Sequence, residues 1–245
     1  MVTDSLQEAQ EQVQEPTTFT SGSGELDNKF GGGIPLGALT LIEGQSSSGK
    51  SVICQQITHG ALESGLGVAY LTSENTIKTL LTQMASLDMD ATDHFLLDIF
   101  RIYRLQMSNR EINSDVLFGR LADYIEARPK SYKVVIVDSI TNIISHGRDI
   151  GVMDFFANCK ELCADGRTIF LVAHSHGFND GLLARIRSLC DAHLNLRLEE
   201  MGALLVKVME VTKVLNAERT QGNSMSFDVE AGMGLKTIPI TRAKA

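Results

Sequence analysis

No stretch of this 245-residue chain stays apolar for the ~20 residues that a membrane-spanning helix needs. Its first residues hold no basic cluster followed by an apolar run, so no secretory leader is expected. Basic groups are in the minority. Against 30 Asp and Glu stand 22 Lys and Arg, for a formal net charge of −8. That balance argues against wholesale binding to nucleic acid or to anionic membrane. Cysteines are few (Cys54, Cys159, Cys163 and Cys190), and none sits in a CxxC pair. Cys159 and Cys163 fall one above the other on a predicted helix. Buried free thiols are therefore expected, as suits a cytoplasmic protein. The chain lacks a His-Glu pair at helical metal-ligand spacing, and no Ser-His-Asp set can be assembled, so metal-assisted hydrolysis and acyl transfer drop out. No repeat recurs at a 20–50-residue period, which argues against a tandem. With 43% apolar and 21% charged residues, the chain can bury a core of ordinary size.

The most informative stretch is Leu39 to Ser51. An apolar run, Leu39 to Ile42, predicts a buried strand. Gly44-Gln45-Ser46-Ser47-Ser48-Gly49-Lys50-Ser51 then matches G-x-x-x-x-G-K-[ST], the phosphate-binding loop of NTPases. Val52, Ile53, Ile57 and Leu62 continue as a helical pattern. Gly44 and Gly49 allow backbone angles that turn loop N–H groups inward, and the helix N-terminus adds its positive end. In that setting Lys50 reaches β- and γ-phosphates and the Ser51 hydroxyl holds Mg²⁺.

Residues 1–18 are polar and rich in Gln and Glu, and predict a disordered tail ahead of one domain over 19–245. Glu25 to Phe30 reads as a helical turn ended by glycines and Pro35. Strands are expected over Gly67–Ser73, part of Phe95–Leu105, Val134–Val137 and Thr168–Ala173, with a break at Asp88–Asp93. Helices are expected over 76–87, 114–128, 153–162 and 182–190. The last quarter reads as strands joined by tight turns: His193–Glu199, Ala203–Lys213, Met225–Val229 and Leu235–Ile240. This order predicts an α/β fold: a mainly parallel sheet flanked by helices, extended by C-terminal antiparallel strands.

Three further residues fall at strand ends, where open α/β sheets bind ligands. Asp138 can hold Mg²⁺ through water while Ser51 binds it directly. Glu74 can orient and deprotonate an attacking water. His174 can report on the γ-phosphate or hydrogen-bond Glu74.

Taken together these residues resemble the RecA/KaiC family of ring-forming ATPases. The likeness rests on a serine-glycine start, the pair Leu26-Asp27, the Gly32–Pro35 turn and the phosphate loop, and covers about residues 20 to 240. It implies a RecA-like P-loop core that takes ATP and Mg²⁺, with Glu74 at the catalytic glutamate and Asp138 at the Walker B acid. It also implies a contact to a neighbour's nucleotide from the late hairpin, through Lys213. Here the family's Lys-x-Arg-Gly stretch has lost its arginine and glycine (Leu215 and Asn216 follow), and Arg219 lies four residues beyond Leu215. Asn75 stands where the family usually carries a second glutamate. Rapid hydrolysis is therefore not expected.

Within the family, Thr72–Thr76, Leu80 and Gln83-Met84 are most similar to the accessory ATPases of the archaeal flagellum (archaellum). That implies a hexameric ring, at the cytoplasmic face of the membrane through its partners: the motor ATPase and other motor subunits. Two other readings stay open. One is a KaiC-like signalling ATPase or autokinase, which usually has a doubled domain. The other is a RecA-type DNA-handling ATPase. It would need a basic loop, yet 141–149 carries one basic residue, Arg148.

Overall fold

The computed structural model describes residues 16–105, 114–144, 147–201, 204–214 and 224–238. A nine-stranded sheet organises them. Its parallel part is built from β3 (Leu39–Gly44), β4 (Val68–Thr72), β5 (Phe100–Arg104), β6 (Val134–Asp138), β7 (Thr168–His174) and β8 (Ala192–Met201). Three antiparallel strands extend it: β9 (Leu204–Val214), β10 (Ser224–Glu230) and β11 (Gly234–Ile238). The order across the sheet is β11-β10-β9-β8-β3-β7-β6-β4-β5. A separate pair, β1 (Thr18–Phe19) and β2 (Ile34–Pro35), flanks α1 (Gly24–Lys29).

Continuous apolar runs end up at the centre because both faces there are covered. Every residue of β3, β4 and β6 is buried. Ile42, Tyr70, Ile136 and Phe170 face α2 (Lys50–Glu63) and α3 (Ile77–Ser86). Leu41, Leu71, Val135 and Leu171 face α5 (Ser114–Glu126), α7 (Asp149–Ala164) and α8 (Asp180–Leu189). None of the described helices is long and apolar enough to cross a membrane. All four cysteines are free and buried.

The strand expected within 95–105 is β5, and the expected break at 88–93 ends in a short helix, α4 (Thr92–Leu96), where Asp90 Oδ1 accepts from Thr92 N at 2.9 Å. A short helix, α6 (Thr141–Ile144), follows β6. Thr18, expected in the tail, pairs with Pro35; residues 1–15 lie outside the described residues. The N-terminal signature is structural. Asp27 Oδ1 accepts from Ser21 N at 2.8 Å and Ser21 Oγ at 2.6 Å, and Gln56 Nε2 of α2 donates to Ser21 O. Gly60 admits this segment, since a methyl there would lie 2.3 Å from Thr20 O.

Candidate nucleotide-binding site

β3 reaches the carboxyl edge between β7 and β8, with Gly44 level with His174 and Leu196. A methyl on Gly44 would come 2.2 Å from the Leu196 carbonyl oxygen, so only glycine lets the chain leave the sheet here. At the other end of the loop Gly49 has φ 95° and caps α2 without a side-chain bond. No acid occupies the first turn of that helix. Its leading N–H groups therefore have no side-chain partner and carry the positive end of the dipole, the arrangement that binds phosphate. Ser48 is buried and braces the turn, its hydroxyl donating to Gln45 O at 2.8 Å.

Lys50 is buried to 6% exposure. Its ammonium donates to Gly44 O at 3.0 Å and Gln45 O at 2.6 Å, and stands 3.3 Å from His174 Nδ1. Three N–H bonds thus meet three acceptors. Burial draws the Lys50 pKa down, and the carboxylates of Asp138 and Glu74 oppose that shift. The His174 imidazole is also drawn below its ordinary value, first by burial and then by the Lys50 charge. A neutral ring with Nδ1 accepting fits both.

Asp138 ends β6, 2% exposed. Burial raises its pKa, opposed by hydrogen bonds from Tyr70 and Ser51. Tyr70 reaches it from β4 at 2.8 Å. Serine hydroxyl and carboxylate, side by side, form a hard oxygen donor set that suits Mg²⁺. Glu74 lies just past β4, exposed, on the wall of the same cavity.

These groups surround one cavity of about 560 Å³, lined by Ser46, Ser47, Gly49 to Val52, Glu74, Asp138, Ser139, His174, Lys207 and Val229. The expected set of Lys50, Ser51, Asp138, Glu74 and His174 is brought together. The neighbours of His174 are Lys50 and the stacked His176, with ring centroids 5.2 Å apart, rather than Glu74. Lys207 and Val229 belong to no motif; they arrive from β9 and β10, and only strand pairing brings them here.

Lys213 goes elsewhere. Its ammonium donates to the carbonyls of Ser188 at 2.9 Å and of Cys190, closing the end of α8. It lines a second pocket of about 440 Å³ with Arg187, Ser188, His193 and Thr212, none of which lines the first. Arg219 lies outside the described residues. Beneath this pocket is Glu43, the residue before Gly44 and 1% exposed, which pairs with Arg187 and lies 3.4 Å from His193 Nε2.

A family described as "ATPase: KaiC" matches residues 19–241. The chain is 28% identical over 229 residues to the archaeal flagellar ATP-binding protein FlaH of Sulfolobus acidocaldarius, covering 93% of this chain and 99% of that one. It is 29% identical over 216 residues to the FlaH of Methanocaldococcus jannaschii, covering 86% and 91%. Among solved structures, the flagellar accessory protein FlaH from M. jannaschii superposes with TM-score 0.80 at 24% identity, covering 92% of this chain and 100% of that one. A KaiC-like protein from Pyrococcus horikoshii superposes with TM-score 0.72 at 20% identity, covering 91% and 100%.

Proposed function

The chain belongs to the KaiC family of ATPases, and from that membership we propose that it is the ATP-binding regulatory subunit of an archaeal flagellar motor. It binds ATP with Mg²⁺ at the phosphate loop and assembles into a ring, a hexamer. In that state it docks on the motor ATPase, at the cytoplasmic face of the membrane. The carrying observation is the end-to-end match to proteins named FlaH, which spans nearly the whole of both chains. The cavity supports it: phosphate loop, Lys50, Ser51 and Asp138 converge there with oxygen and nitrogen donors of the right chemistry.

In this reading Lys50 exchanges the carbonyls of Gly44 and Gln45 for phosphate oxygens, and Ser51 with Asp138 holds the ion. Bound magnesium supplies charge neutralisation of the phosphates. Turnover is slow. Asn75 takes the place of a second carboxylate, and Lys213 is not followed by the arginine that would stabilise transferring charge, a contribution worth factors of ~10³ or more.

The test separates binding from hydrolysis. Lys50→Ala removes a charge-assisted contact of roughly 1.5–3 kcal/mol, so ATP affinity should fall by about 10- to 150-fold. Glu74→Gln removes no phosphate contact, so ATP should bind as well as before. In cells whose own copy is replaced, Glu74→Gln should swim and Lys50→Ala should not. A Glu74→Gln strain that binds ATP, captures the motor ATPase and yet fails to swim makes hydrolysis the function instead.

A further inference from the structure

The β8–β9 hairpin does not stop at the carboxyl edge of the sheet. Gly44 pairs with Leu196, but β8 runs on to Met201, and Lys207 of β9 pairs with Leu198, two residues beyond that level. The hairpin therefore overhangs the phosphate loop. Lys207 projects from the overhang into the cavity wall. Its stem lies against the loop, its Cδ only 3.4 Å from where a methyl on Gly49 would sit, beside the buried Phe227 ring. Its ammonium donates to Asp228 Oδ1 of β10 at 2.9 Å. That partner is exposed, 61% for the Asp228 side chain against 24% for Lys207, so the pair is weakly held and can be exchanged.

The charges around the cavity show why an exchange would be useful. Among the described residues its lining contains two lysines, Lys50 and Lys207, and two carboxylates, Glu74 and Asp138. A triphosphate brought there adds several negative charges. Lys50 is fixed inside the loop. Lys207 is the other lysine on the wall among the described residues, on a long stem, tied to an acid outside the cavity.

We propose that Lys207 is a second phosphate-binding lysine, which leaves Asp228 for the phosphate chain of the bound nucleotide and so draws the C-terminal hairpin onto the loop. This rests on the reading of the cavity as an ATP site. It makes the overhanging strands a reporter of occupancy: with nucleotide bound, Asp228 loses Lys207 and keeps the Val229 N–H, opposite Lys236 of β11.

Calorimetric titration of the full chain with ATP and Mg²⁺ tests it in four forms. Wild type sets the affinity, and if it binds no ATP the underlying site assignment fails, separately from this proposal. Lys207→Met keeps the stem against Gly49 and removes the charge; affinity should fall about tenfold, as for a lost charge-assisted contact. Asp228→Ala removes the competitor; affinity should rise about threefold. Arg101→Met breaks a comparable exposed pair at the far edge of the sheet, with Asp98, and should leave affinity unchanged. The opposite signs are diagnostic. If the pair merely braces the hairpin, Lys207→Met and Asp228→Ala weaken binding alike, and the proposal is overturned. It is also overturned if Lys207→Met binds as tightly as wild type, or if Arg101→Met weakens binding as much as Lys207→Met. Should Lys207→Met fail to fold, Asp228→Ala decides alone: tighter binding supports the exchange, and equal or weaker binding refutes it.

Discussion

Glu43 is an acid embedded in the central strand, one peptide bond from the phosphate loop, and its environment sets up a sharp test. Arg187→Met removes the guanidinium while keeping much of the stem. Burial by itself pushes the Glu43 carboxyl upward; hydrogen bonds and charge from His193 and Arg187 outweigh it and hold the pKa below the ordinary 4.5. Removing one partner of a buried ion pair typically destabilises by about 3–5 kcal/mol. Here the Arg187 side chain is 41% exposed and His193 stays near, so the expectation is reduced to about 2 kcal/mol at neutral pH. For a chain of this size that is a drop of roughly 4–8 °C in Tm.

The pH dependence carries the argument. In the native protein the Glu43 contribution is present above 4.5 and is lost as pH falls through its lowered value. In Arg187→Met the lowering due to Arg187 is lost while burial and His193 remain, so the folded-state pKa rises from its native value. The variant then bears its full penalty above that risen value, and protonation relieves it as pH falls through it. The stability gap should be widest near pH 7 and narrow at about pH 4, by the linkage between proton binding and folding. Urea unfolding of both proteins at the two pH values, compared at equal m-values, measures it. A gap that is the same at both pH values, or below about 0.5 kcal/mol at neutral pH, refutes the assignment of Glu43 as a buried, paired carboxylate.

Three other outcomes follow from the same structure. Tyr70→Phe removes the donor at 2.8 Å from buried Asp138 and should cost about 1–3 kcal/mol in denaturant unfolding, with no measurable loss if that bond is absent. ATP with Mg²⁺ should shift the protein to a larger species by light scattering, whereas an unchanged monomer at tens of micromolar in both conditions counts against the ring. Binding to single- or double-stranded DNA should be weak and vanish near physiological salt, as the net charge of −8 requires; tight, salt-resistant binding would favour a DNA-handling ATPase.

Much of the site is local in the chain. The loop is contiguous from Gly44 to Ser51, so one stretch of sequence specifies strand end, anion cradle and helix start together. Asp138, Glu74 and His174 were legible because each ends an apolar run, and in a parallel sheet all such runs end on one edge. Boundaries were less legible where a side-chain turn competes with pattern, as at Asp90, whose bond to Thr92 lies at the start of a short helix in the expected break. The Cys159–Cys163 pair came out as the plain reading holds, with burial pushing the Cys163 thiol up to about 12.

By itself, then, the sequence determined the phosphate loop, the acids at the strand ends and the alternation that makes the sheet parallel. These depend on neighbours in the chain and on a period of two or 3.6 residues. Tertiary structure decided which distant residues meet them. Tyr70 reads as one more apolar strand position, yet its hydroxyl reaches Asp138 because β4 and β6 are adjacent. Lys207 reads as a solvated strand lysine, yet the overhang of the hairpin sets it against Gly49. Lys213, read as reaching a neighbour's nucleotide, closes the end of α8 in its own chain, on the far side of the sheet from the loop helix. Strand order and register control all three, and they are fixed by packing between separate segments of the chain, which no local pattern encodes.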